Sequence, residues 1–117
     1  MAYSIRPYDD RDAEYLGPIR RAAIAVIGSR AYAERQVAAW IARVGFADDY
    51  RARISAGATI FVAVDLDDKP VAYALLEPDG HLDHLYNHPD HTRDGLAGRL
   101  LFRAEDHARH EGLERLY

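Results

Sequence analysis

The chain has 117 residues, 49% hydrophobic and 29% charged, with a formal net charge of -4 and no cysteine. This balance predicts one soluble folded domain that buries roughly two-thirds of the surface its unfolded form exposes. It excludes a disulfide framework, thiolate metal sites and a cysteine nucleophile, and without a stripe of Lys and Arg it lacks the footprint of a nucleic-acid binder.

The N-terminus, Met1-Ala2-Tyr3-Ser4-Ile5-Arg6, meets charge and proline at once and carries nothing like a signal peptide. No apolar segment is long enough to span a bilayer. The expectation is a cytoplasmic protein with neither a membrane nor a nucleic acid as partner.

Tyr3 to Tyr8 alternates polar and apolar residues and predicts a short strand. From Asp12 to Ile27, Leu16, Ile19, Ala23, Ile24 and Ile27 recur at helical steps, with Pro18 marking a bend or an early turn. Ala33 to Val44 predicts a second helix that buries Val37, Trp40, Ile41 and Val44. Asp48 to Ala56 predicts a third, closed by Gly57.

The β-branched and aromatic run Thr59–Val64, the turn at Asp67-Asp68-Lys69 and the run Val71–Leu76 form a hairpin. A turn at Pro78-Asp79-Gly80 leads into a third consecutive strand, His81–Asn87. Gly95 to Arg109 is an amphipathic helix with Leu96, Leu100, Leu101, Ala104 and Ala108 on its apolar stripe. Leu113 to Tyr117 opens a fifth strand, parallel to its predecessor if the helix is a crossover. The order is that of an α/β (α+β) fold with helices on both faces of the sheet.

The segment from His81 to Leu101 carries the chemistry. A glycine-containing loop that opens a helix after a strand exposes unpaired backbone N–H groups at the positive end of the helix dipole, which suits an anion. Gly95 permits close backbone approach, and Ala97 and Gly98 keep the first turn free of bulk. On these grounds alone Gly95 could equally serve to relieve helix–strand packing.

The strand His81-Leu82-Asp83-His84-Leu85-Tyr86-Asn87, the turn His88-Pro89-Asp90-His91 and the run Thr92-Arg93-Asp94-Gly95-Leu96-Ala97-Gly98-Arg99-Leu100-Leu101 together resemble the central cofactor motif of the GNAT superfamily of N-acetyltransferases. The preceding meander and the helices before it follow the same order, so the resemblance covers residues 1–117 as a single GNAT-like acyl-CoA-binding domain. It implies a mixed central sheet and an acetyl-CoA cosubstrate. The backbone of Leu85, Tyr86 and Asn87 would hold the pantetheine arm, and the amides of Arg93, Asp94, Gly95, Leu96, Ala97 and Gly98 the pyrophosphate. A backbone N–H near Leu85 would polarise the thioester carbonyl. The reaction implied is acetyl transfer to a primary amine of a small molecule or peptide, and a homodimer is compatible with it.

An amine with a pKa of roughly 10.4 must lose a proton before it attacks. Counting back from Gly95, His81 and Asp83 fall where similar enzymes place a base, and they are expected on one face of their strand. Two substitutions depart from the family pattern. Thr92 stands where Gln or Arg is preferred, and Asp94 stands where a basic or neutral residue is common.

Similar proteins continue past the last strand into a helix and a hairpin, so the chain is expected to lack that C-terminal part. The alternative function is a catalytically impaired or incomplete module that binds acyl-CoA or a partner protein without chemistry. Histidines 81, 84, 88 and 91 raise a metal reading, but alternation should send the side chains at 81 and 84 to opposite faces. No metal is expected.

Overall fold

The computed structural model describes residues 3–29, 34–92 and 95–113. Four strands, β1 (Ser4–Pro7), β2 (Thr59–Val64), β3 (Pro70–Leu76) and β4 (Leu82–Asn87), form one antiparallel sheet in the order β1-β2-β3-β4. The helices are α1 (Ala13–Ser29), α2 (Glu34–Ala42), α3 (Ala47–Ser55) and α4 (Leu96–His110). Among the described residues none of them is long and apolar enough to cross a membrane. The expected fifth strand lies outside the described residues apart from Leu113, which is irregular.

β2 and β3 are apolar on both sides because helices cover both faces. Ile60, Val62, Val64, Tyr73 and Leu75 pack under α1 and α3 with Leu16, Ile19 and Tyr50. Phe61, Ala63, Ala72 and Ala74 face α4 through Leu96 and Leu100. The alanines on that second face leave room for Leu96 and Leu100 of α4, while larger side chains fill the layer beneath α1.

Gly17 is a packing glycine: a Cβ there would lie 2.8 Å from the Gly45 carbonyl oxygen in the link between α2 and α3. Its neighbour Pro18 is exposed, and α1 continues through it. Gly57 follows the end of α3 with a φ of 102°, as a glycine stop requires. Trp40 departs from expectation. Val37 and Val44 are buried, but Trp40 is 38% exposed, because a helical stripe marks a face without saying how far a neighbour covers it.

The opening of the chain is fastened by charge. Asp12, fully buried, receives both terminal nitrogens of Arg6 at 2.7 and 2.9 Å and also the Asp9 amide. Arg6 reaches on to Asp68 in the β2–β3 turn at 2.9 Å.

Candidate functional site

The site is built along β4, whose register contains one irregularity. Leu75 pairs with His84 while Leu76 pairs with Leu82, so Asp83 is an extra residue on β4. A bulge of this kind bends a strand and changes the alternation of side chains across it. Leu82 and Leu85 both pack toward α4, whereas Tyr86 packs beneath α1.

The bulge corrects the expectation that His81 and His84 diverge. Both imidazoles approach one carboxylate: His81 Nε2 is 3.6 Å and His84 Nε2 3.4 Å from Asp83. Arg53 of α3 donates to Asp83 at 2.9 Å and to Glu77 at 3.2 Å. Partial burial pushes the Asp83 carboxyl up, but the Arg53 hydrogen bond and the nearby charges outweigh it and hold the group below its ordinary range. Glu77, His81 and Asp83 bring their donor atoms within 4.8 Å of one another, a grouping that suits a metal; the guanidinium of Arg53 supplies the positive charge between the two carboxylates instead.

The sequence marks His84 only as one of four histidines. In the fold it is buried, with Nδ1 2.9 Å from the Tyr73 hydroxyl, which lies 2.9 Å from the hydroxyl of Tyr50. Burial, reinforced by the nearby charge of Arg20 and opposed by Asp83, lowers its pKa to about 4, so the ring is neutral at pH 7. Tyr50 is thus a core residue whose hydroxyl is satisfied internally. Tyr32 lies outside the described residues.

Beyond His84 the strand presents backbone. The His88 amide donates to the Val71 carbonyl at 2.8 Å, and Tyr86 stands opposite Tyr73. Alternate residues of an antiparallel strand turn their backbone groups toward and away from the partner. Leu85 and Asn87 therefore present N–H and C=O to the outer edge of β4, where no strand pairs among the described residues. The backbone groups of Tyr86 are spent on β3, and only its side chain remains for the cleft. Asn87 donates through Nδ2 to the His91 carbonyl at 3.0 Å, while its Oδ1 is buried without a partner among the described residues.

Arg93 and Asp94 of the expected anion loop lie outside the described residues. Gly95 stands at the N-cap of α4 in the left-handed conformation, φ 64° and ψ 30°, with no side-chain cap. Its carbonyl accepts from Arg99 at 3.1 Å, so helix geometry leaves the amides of Leu96, Ala97 and Gly98 without an intrahelical acceptor. Among the described residues a Cβ on Gly95 or Gly98 would meet nothing within 4 Å, so neither glycine serves packing against a described strand.

Two clefts meet β4. One of about 390 Å³ runs between Ala23 and Val26 of α1, Leu85–Asn87 and Ala97 at the start of α4. The other, of about 420 Å³, is lined by Arg20 of α1, Arg43, Tyr50 and Arg53, and by His84. The first offers a strand edge and a helix N-terminus in succession, which suits an extended amide-bearing chain with an anionic end.

A GCN5-related N-acetyltransferase from Rhodopseudomonas palustris superposes with a TM-score of 0.82 at 30% identity, over 96% of this chain and 69% of that one. The PaiA N-acetyltransferase of Thermoplasma acidophilum, solved with coenzyme A, superposes with a TM-score of 0.83 at 21% identity, over 97% and 76%. YncA of Salmonella typhimurium, solved with acetyl-CoA, superposes with a TM-score of 0.69 at 26% identity, over 97% and 66%. A search of curated proteins found no match. The profile of the Acetyltransferase (GNAT) family matches residues 30–117, a span that takes in β4, the loop and α4. By that match, over most of its length, the chain belongs to the GNAT acetyltransferase family.

Proposed function

We propose that the chain is an N-acetyltransferase that uses acetyl-CoA as cosubstrate and delivers the acetyl group to a primary amine held beside His84. The observation that carries this reading is the division of β4 between the two clefts. His84 lines one and its neighbour Leu85 lines the other, so groups bound in both meet at adjacent residues of one strand.

The residues of the first cleft fit the cosubstrate. Leu85 and Asn87 would hold the pantetheine arm through the outward N–H and C=O groups of the strand edge. The helix-opening amides from Gly95 to Gly98, with Arg93 and Asp94 before them, would hold the pyrophosphate. Bound there, acetyl-CoA supplies an acyl group activated as a thioester. The outward N–H of Leu85 is aimed to stabilise negative charge on a carbonyl oxygen, a contribution of about 3 kcal/mol for one preorganised donor.

Proton removal falls to the group around Asp83. Arg53 keeps the carboxylate ionised, so Asp83 attracts and orients rather than retaining a proton. His81, half-exposed and 3.6 Å from that carboxylate, passes the proton to solvent. The neutral ring of His84 fixes the inner end of the cluster.

The test is thiol release from acetyl-CoA over a panel of primary amines, beside calorimetric titration with CoA. CoA binding together with amine-dependent thiol release supports the proposal. CoA binding without release under any amine leaves a binding module, and neither binding nor release removes the assignment altogether.

A further inference from the structure

Resting on the reading of the His84 cleft as the acceptor side, we infer that the acceptor is a small amine carrying its own anionic group, a carboxylate or a phosphate, received by Arg20 and Arg43. The cleft holds about 420 Å³, within the range of small-molecule sites and suited to a molecule of amino-acid size.

Its lining carries more cation than anion. Three arginines, Arg20, Arg43 and Arg53, face it with one carboxylate, Asp49. Arg53 is already matched by Glu77 and Asp83 at 3.2 and 2.9 Å. Asp49 is engaged at the start of α3, where its carboxylate accepts from the Phe46 amide at 2.8 Å.

Arg20 and Arg43 have no such match. Arg20 lies over the ring of Tyr86, 5.4 Å from its centroid, and interacts with the hydroxyls of Tyr86 and Tyr50, but no carboxylate pairs with it among the described residues. Arg43 is exposed at the mouth, and no carboxylate pairs with it among the described residues. Two guanidinium forks on different segments, lining the same cleft as His84, form a donor set suited to carboxylate or phosphate oxygens in preference to a hydroxyl.

The same two cations act on the amine. An acceptor without an anionic group leaves both guanidinium forks unmatched, which disfavours polyamines and simple alkylamines. A zwitterionic acceptor enters without net repulsion. Once its anionic group is seated, the arginines favour the neutral form of its amine, the form that attacks.

The experiment compares matched pairs on the full chain: O-phosphoethanolamine against ethanolamine, and glycine against glycinamide. Each is measured by kcat/KM with acetyl-CoA and, independently of turnover, by calorimetric binding to CoA-saturated protein. The anionic member of at least one pair is expected to be favoured 10-fold or more, and the pair that responds identifies phosphate or carboxylate. Arg43→Gln and, separately, Arg20→Gln should bring that ratio toward unity.

Neutral members turned over as well as anionic ones would overturn the inference while leaving the transferase assignment standing. A preference that survives both substitutions would overturn it too. Arginine-dependent binding of an anionic amine without any turnover would sustain the pocket and remove the transferase.

Discussion

The Tyr73 hydroxyl lies 2.9 Å from Nδ1 of His84, in the interior between α3 and the sheet. His84 Nε2 faces the Asp83 carboxylate, which favours the proton on Nε2 and leaves Nδ1 to accept from Tyr73. Tyr73 in turn accepts from Tyr50, completing a chain of buried donors in which each has an acceptor.

That chain makes the fold sensitive to acid. Because the pKa of His84 falls from 6.5 to about 4 on folding, its stabilising effect is full above pH 6.5 and is lost as pH drops toward 4. Between pH 7 and pH 5 the loss should be about 2 kcal/mol. Urea denaturation at the two pH values measures it, and His84→Gln, which keeps an acceptor for Tyr73, should flatten the dependence in that window.

Two glycines should respond in opposite ways to alanine. Gly17→Ala drives a methyl into the Gly45 backbone and should cost about 1–3 kcal/mol in denaturant-measured stability. Gly98→Ala meets open space inside a helix, so stability should hold or rise by up to about 1 kcal/mol. CoA binding by calorimetry should nevertheless weaken, because the methyl stands where the ligand is proposed to approach.

Removing Arg6 leaves Asp12 as a buried carboxylate without its bidentate partner. Arg6→Met should cost about 3 kcal/mol of stability. The double variant with Asp12→Asn should recover part of that loss, a coupling that a double-mutant cycle reads directly.

For proton transfer, Asp83→Asn should lower kcat about 10-fold or more with little change in CoA affinity, and His81→Gln should move the pH profile of kcat. Full turnover in Asp83→Asn would remove Asp83 from the reaction. Asp94→Asn should tighten CoA binding, since a solvated carboxylate near a pyrophosphate costs about 1 kcal/mol. Equal or weaker affinity would count against the loop as the anion site.

Much of this architecture was legible in the residues. The apolar run Thr59–Val64, set between Gly57 and the Asp67-Asp68 turn, occupies the span of β2, because β-branched and aromatic side chains buried on two faces leave little alternative. Gly95 was legible as the break before a helix; its left-handed backbone and open surroundings were not, because glycine also serves close packing. The bulge at Asp83 was hidden, since one inserted residue changes register without changing composition. With it went the meeting of His81 and His84. The Tyr50–Tyr73–His84 chain draws on α3, β3 and β4, and no local pattern announces a contact among three elements.

The bulged strand separates what can vary from what cannot. The outer edge at Leu85 and Asn87 offers main-chain atoms, which every residue type possesses, whereas the surface at His84 speaks only through its side chain. On the proposed assignment, substitutions that retune the choice of amine can accumulate on one side of β4 while the peptide groups on its edge keep their chemistry.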